Sequence, residues 1–239
     1  SDKCAQIIYP VPVKEGIIMR LILVMLFLLL YFIVSIPIFG IEWIIGKINP
    51  HARDISSLRI VQFGFKGILF FSGTKTTVIG FENILFVGKH KSFYDVVISY
   101  SMMPNLTGFV AKKEIEKVPL LRTWMRFVYC LFLDRDNLKE GLKTILQGIE
   151  YIKRGISIVI FPEGTRNTFE DGMLPFKEGS LKFAEKSGCL IIPMVQNNTG
   201  ECLEKHMPWI RKAHTVIEFC EPVDIKLLDK EDKKHVAAY

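Results

Sequence analysis

The chain has 239 residues, 49% of them hydrophobic and 23% charged, with 31 Lys and Arg against 25 Asp and Glu for a net charge of +6. The apolar share excludes disorder, the unpatterned 17 Gly and 11 Pro exclude a collagen-like or low-complexity chain, and the length suits one large domain or a domain with an appendage. A mean hydropathy of +0.27 beside that much charge requires the apolar residues to be concentrated in one place.

Residues 1–18 differ in character from the rest of the chain, and Met19-Arg20 is a candidate native start with a leader or tag in front. Leu21 to Ile41 then runs for 21 residues without a charge, about the length of a bilayer-crossing helix, with a buried core helix as the alternative reading. Ile36-Pro37-Ile38-Phe39-Gly40 lacks the small-residue pattern of a signal cleavage site, so the segment is expected to stay in the mature protein. Pro37 and Gly40 predict a break, giving two short helices that continue through Trp43, Ile44 and Ile45. Basic residues lie on both sides (Lys3, Lys14 and Arg20 before; Lys47, Arg53 and Arg59 after). A hairpin dipping into one leaflet with both ends cytoplasmic therefore satisfies the positive-inside rule better than a single span. Residues 19–73 are expected to form this membrane-associated region and residues 74–239 a separate domain.

Beyond Thr74, short β-branched runs alternate with amphipathic stretches, the pattern of an α/β fold with a mixed sheet flanked by helices. Strands are predicted at Thr76–Ile79, Ile84–Val87, Gly108–Ala111, Val128–Leu133, Ser157–Phe161, Leu190–Val195 and Thr215–Phe219. A helix should begin at Asn137, with Glu140 completing a capping box and Leu138, Leu142, Ile145, Ile149 and Ile152 on one face, and stop at Gly155. Another runs from Leu181 to Gly188.

Five scattered cysteines with no C-x-x-C suggest neither a disulfide framework nor a zinc site, and fit a reducing compartment. The sequons at Asn105 and Asn197 would matter only in a glycosylating lumen. The serine-hydrolase elbow, the P-loop, the zincin helix and the dinucleotide fingerprint are all absent from the sequence. A basic net charge admits nucleic acid, anionic lipid or phosphorylated substrates, but the lysines are interleaved with acids and no nucleic-acid motif accompanies them.

Two motifs remain. In His90-Lys91-Ser92-Phe93-Tyr94-Asp95, Ser92 and Asp95 form a capping box, so a helix should begin at Phe93. On one helix, residues five apart would face about 140° away from each other. With His90 in the loop and Asp95 in the first turn, however, the carboxylate can fold back to the imidazole and fix its tautomer, leaving the other nitrogen as a general base. In Phe161-Pro162-Glu163-Gly164-Thr165-Arg166, a strand ends in a sharp turn where open α/β sheets bind ligands. Gly164 permits close approach of the backbone, and Arg166 offers a planar fork for phosphate oxygens.

Together, His90 to Asp95 and the later hexapeptide resemble the glycerolipid acyltransferase family, most closely the 1-acyl-sn-glycerol-3-phosphate acyltransferases. Leu131 to Arg135 is similar to the family block that ends in a substrate-binding arginine, and Ile191-Ile192-Pro193-Met194 to its later hydrophobic-proline block. The resemblance covers about Thr76 to Val223. Tyr129 stands where the family usually has glycine, and Lys89 and Lys91 replace the commoner asparagine and glutamine.

The resemblance implies acyl transfer from acyl-CoA or acyl carrier protein to the sn-2 hydroxyl of lysophosphatidic acid, at the cytoplasmic face of a phospholipid membrane, with no cofactor and no metal. His90 would be the base and Asp95 its orienting carboxylate, Arg135 and Arg166 would hold the acceptor phosphate, and Glu163, Gly164, Thr165 and Lys112 would complete that pocket. Ser92 as a covalent nucleophile is a competing role to that of helix cap. Another lysophospholipid or glycerol 3-phosphate as acceptor, and a non-catalytic membrane-anchored lipid-binding protein, are the alternative readings.

Overall fold

The computed structural model describes residues 14–79, 85–88, 91–165, 174 and 177–227. Its first feature is an antiparallel helical hairpin, α1 (Lys14–Ile48) and α2 (Pro50–Ser72). The expected break at Pro37 and Gly40 is absent, because α1 runs through both as one 35-residue helix. Packing holds the turns around Pro37: Phe39 lies 4.9 Å from Trp124, and Glu42 accepts from Ser56 at 2.6 Å and Ser57 at 3.1 Å on α2. The chain reverses at Asn49, whose side chain caps α2 by accepting from the Ala52 amide at 3.1 Å, with Pro50 in the first helical turn.

The two faces of the hairpin differ. α2 buries Leu58, Val61 and Ile68 together with Asp54 and Ser57, whereas α1 presents Ile22, Met25, Leu29, Ile33, Ile36 and Ile44 to the outside. Among the described residues α1 is the one helix long and apolar enough to cross a membrane, by length and composition.

Among the described residues seven strands form one sheet: β1 (Lys75–Ile79), β2 (Leu85–Gly88), β3 (Thr107–Lys112), β4 (Leu131–Leu133), β5 (Ser157–Ile160), β6 (Ile191–Asn197) and β7 (His214–Phe219). They lie in the order β1-β7-β6-β2-β5-β3-β4, and every neighbouring pair is parallel except β6 with β7. Helices α3 (Phe93–Ser101), α4 (Pro119–Phe127), α5 (Leu138–Lys153) and α6 (Lys182–Ser187) flank it. Alternation along the strands divides the core: Val159 packs in a cluster with α2, α3 and Trp124, while Ile158 and Ile160 pack with Ile149 and Phe183 of α5 and α6.

Three expectations change in detail. The fourth strand loses Val128–Cys130, because Tyr129 adopts φ 61°, a left-handed turn incompatible with a strand. The Asn137 cap is present, accepting from Lys139 and Glu140 amides, but the Glu140 carboxylate pairs with Lys143 at 2.7 Å. On α5, Leu138 is 92% exposed and Leu142 is exposed too, so only Ile145, Ile149 and Ile152 of the predicted face reach the core.

Candidate active site

Strand order determines what the site contains. β2, β5, β3 and β4 are successive parallel neighbours, so their C-terminal ends lie along one edge of the sheet. From that edge leave the segment that leads to Asp95 (after β2), Phe161 to Thr165 (after β5), Lys112 (the end of β3) and Arg135 (two residues beyond β4). This is where doubly wound sheets bind ligands.

The start of α3 is built as the sequence requires. Ser92 is the N-cap (φ −140°, ψ 153°) and accepts from the Tyr94 amide at 3.0 Å. Asp95, in the first turn and only 1% exposed, folds its carboxylate back so that Oδ2 accepts from the Lys91 and Ser92 amides, each at 2.7 Å. Charge-assisted bonds of this kind, at the positive end of a helix dipole, fix the carboxylate over the preceding loop. His90 and Lys89 lie outside the described residues, as does the expected imidazole contact. Ser92 is fully buried, and its hydroxyl donates to Glu204 Oε2 at 2.5 Å while accepting from Tyr94, so it is held as a cap.

At the end of β5, the Gly164 amide donates to the Phe161 carbonyl at 2.9 Å, closing a turn in which Gly164 has φ 73°. A side chain there would adopt a disfavoured left-handed conformation, and its Cβ would meet Arg135 Nη1 and Lys177 Cγ at 3.5 Å. Arg135 Nη1 donates to the Gly164 carbonyl, so the two family blocks touch directly. Desolvation lowers the pKa of the Arg135 guanidinium, with Glu114 opposing, and the group stays charged.

Glu163 is 1% exposed; its Oε2 accepts from the Leu174 amide at 3.1 Å, and its Oε1 has no partner among the described residues. Thr165 is exposed, and Arg166 lies outside the described residues. Lys112 is exposed at the end of β3, and its neighbour Lys113 pairs with Asp134 at 2.8 Å.

Two residues join the site unannounced by the sequence. Gln196 on β6 donates to the Asp95 carbonyl at 3.2 Å, and Glu204 reaches Ser92 and Phe93 across 112 and 111 positions of chain. No local pattern signals either contact.

Comparison with known proteins adds to this geometry. The family model described as Acyltransferase matches residues 73–197. The 1-acyl-sn-glycerol-3-phosphate acyltransferase of Saccharomyces cerevisiae is 29% identical over 166 residues, covering 66% of this chain and 55% of that protein. The protein of the same name from Haemophilus influenzae is 33% identical over 157 residues, 65% of this chain and 64% of its own length. The match thus spans less than two thirds of these relatives. The crystal structure of the 1-acyl-sn-glycerophosphate (LPA) acyltransferase PlsC from Thermotoga maritima superposes with a TM-score of 0.69 at 22% identity, covering 92% of this chain and 94% of that one. That likeness establishes the fold.

Proposed function

Because this chain belongs to the acyltransferase family, we propose that it transfers a fatty acyl group from a thioester donor, acyl-CoA or acyl carrier protein, to the sn-2 hydroxyl of lysophosphatidic acid. One observation carries the reading. Parallel pairing of β2 with β5 brings the Asp95 helix beside the Glu163-Gly164-Thr165 turn, and Arg135 is bonded to that turn.

A thioester is already activated, so the reaction needs neither a protein nucleophile nor a metal. In this mechanism His90 takes the proton of the acceptor hydroxyl as the oxygen attacks the thioester carbonyl. Collapse of the tetrahedral intermediate breaks the C–S bond, and the imidazolium returns the proton to the departing thiolate. Asp95, held by two amides, orients His90 and stabilises its cation. Arg135 and Arg166 bind the acceptor phosphate, with Lys112 adding charge at the same sheet edge and Thr165 a hydroxyl. Glu163 and Gly164 shape the turn.

We further infer that the hairpin lies in one leaflet on the cytoplasmic side. α1 as a whole is about 52 Å long at 1.5 Å per residue, so its length does not forbid a span. The support comes from α2, whose other face is packed along the domain: Gln62 donates to the Met103 carbonyl at 2.5 Å, and Asp54 accepts from Tyr129 at 2.5 Å. A membrane-crossing α1 would carry that polar domain into hydrocarbon with it.

The test is thiol release by the purified protein across a panel of lysophospholipids, glycerol 3-phosphate and both donors. Turnover that is greatest with lysophosphatidic acid supports the assignment; turnover confined to another acceptor replaces it, and binding without turnover supports the lipid-binding alternative. For the hairpin, Lys14→Cys and His51→Cys, made singly in a background lacking the native cysteines, are exposed to an impermeant thiol reagent on intact and opened vesicles. Labelling from the same side supports the one-leaflet arrangement, and labelling from opposite sides replaces it with a span.

A further inference from the structure

The amide groups at the start of α3 can be accounted for one by one. Those of Lys91 and Ser92 go to Asp95 Oδ2, that of Tyr94 to Ser92 Oγ, and that of Asp95 to the Ser92 carbonyl at 3.1 Å. The amide of Phe93 has no acceptor within the local cap. It donates to Glu204 Oε1 at 2.6 Å, while Glu204 Oε2 takes the Ser92 hydroxyl. One carboxylate from the distant β6–β7 connection therefore completes the first turn, whose four leading amides have no partner in the helix itself.

The connection is made firm enough to serve as a fixed point. Glu204 begins the short 3-10 turn Glu204–His206, and Glu201 pairs with Lys205 at 2.8 Å and His206 at 3.1 Å on the far side of it. The Arg211 amide ties the segment back to the Cys202 carbonyl at 2.9 Å, and Gln196 holds the Asp95 carbonyl from β6. Glu204 lies outside the four sequence blocks that carry the family resemblance.

We propose that Glu204 is a positioning residue for the acyl transfer. It clamps the turn between His90 and Asp95, so that the carboxylate and the loop histidine keep the spacing that proton transfer needs. The role rests on the acyl-transfer reading above, and it depends on reach rather than on charge. A glutamine at this position places an amide oxygen on the Phe93 N–H and an NH2 group on Ser92 Oγ, whereas an aspartate keeps the charge but is one methylene too short.

The experiment uses the full chain in lipid vesicles, with thiol release as readout and thermal unfolding in parallel. Glu204→Ala and Glu204→Asp are expected to lower kcat about 10- to 100-fold, with both KM values within about twofold of wild type, since a misplacement of about 1 Å costs on this scale. Glu204→Gln is expected to retain kcat to within about threefold. In a double-mutant cycle, Ser92→Ala should lower kcat less in the Glu204→Ala background than in wild type.

An active wild type with normal kcat in Glu204→Ala overturns the proposal. So does an aspartate variant that works where glutamine fails, which would assign the effect to charge, and so does a kcat loss that merely follows the unfolded fraction. An inactive wild type overturns the acyl-transfer reading, and the positioning role with it.

Discussion

The hydroxyl of Tyr129 lies 2.5 Å from Asp54 Oδ2, so the turn that feeds β4 is bonded directly to the helical hairpin. Asp54 is buried on α2, and its other oxygen takes the Arg53 guanidinium at 2.6 Å. The Tyr129 ring lies 5.1 Å from Tyr151, with the Arg154 guanidinium 5.7 Å away over its face. This explains how the chain tolerates tyrosine at φ 61°: anchoring contacts offset a backbone strain of about 1–3 kcal/mol. Tyr129→Phe keeps the strain and loses the bond. It should cost about 1.5–3 kcal/mol, the range for a hydrogen bond to a charged group, and calorimetry should show Tm lower by several degrees.

Asp95→Asn tests the orienting carboxylate separately from the helix cap. Asparagine retains an oxygen for the Lys91 and Ser92 amides, so folding should survive. The kcat should nevertheless fall about 10³- to 10⁴-fold, as when the carboxylate of a catalytic triad is neutralised. His90→Ala should reduce turnover to near background while acceptor binding persists; more than a tenth of the wild-type rate would reject His90 as the base.

Arg166→Ala and Arg135→Ala should chiefly raise the acceptor KM, because the phosphate is bound in ground and transition states alike. A lost charge-assisted contact of roughly 1.5–3 kcal/mol corresponds to about 10- to 150-fold in kcat/KM. Arg135→Ala should cost the more, since Arg135 also holds the Gly164 carbonyl. Steady-state kinetics with each substrate varied in turn checks this, and equal damage to donor and acceptor constants would mean that these arginines hold the coenzyme or the fold instead.

Gly108→Ala should destabilise the protein by about 1–3 kcal/mol through overpacking. The new Cβ would stand 2.1 Å from the Tyr129 carbonyl oxygen, and backbone cannot move aside as a side-chain tip can. Denaturant titration should show a lower midpoint with an unchanged slope.

Burial pushes the thiols of Cys130 and Cys202 from 9.0 up to about 12, and the Tyr94 phenol from 10.0 up to about 12. Native pKa values above the unfolded ones mean that the folded state holds these protons more tightly. The resulting stability is complete below about pH 9 and is lost as pH rises from 9 toward 12. Stability measured against pH should fall through that window. A thiol reagent at pH 8 should modify Cys130 and Cys202 in the native protein far more slowly than in the unfolded chain.

What the sequence determined by itself is local. Ser92 and Asp95 stand at capping-box spacing, and the structure starts α3 at Phe93 with both halves of the box made. Gly164 succeeds an apolar strand, and it has the positive φ that its place in the turn requires. The apolar arm is legible from composition alone. These features depend on contacts a few residues apart, which the residue types nearly dictate.

Tertiary structure decided the rest. Pro37 predicts a break, yet α1 continues because Phe39 and Glu42 are held by Trp124, Ser56 and Ser57, so the reversal moves to Asn49. Asn49-Pro50 is the local signal for that reversal, and a proline within an apolar run is the stronger signal until the packing partners of the helix are known. Neither the pairing of β2 with β5 nor the reach of Glu204 to Phe93 can be derived from any spacing, although together they assemble the site. Strand order is chosen by how the whole chain buries its apolar faces on both sides of the sheet, and that choice sets side chains more than a hundred residues apart within hydrogen-bonding distance.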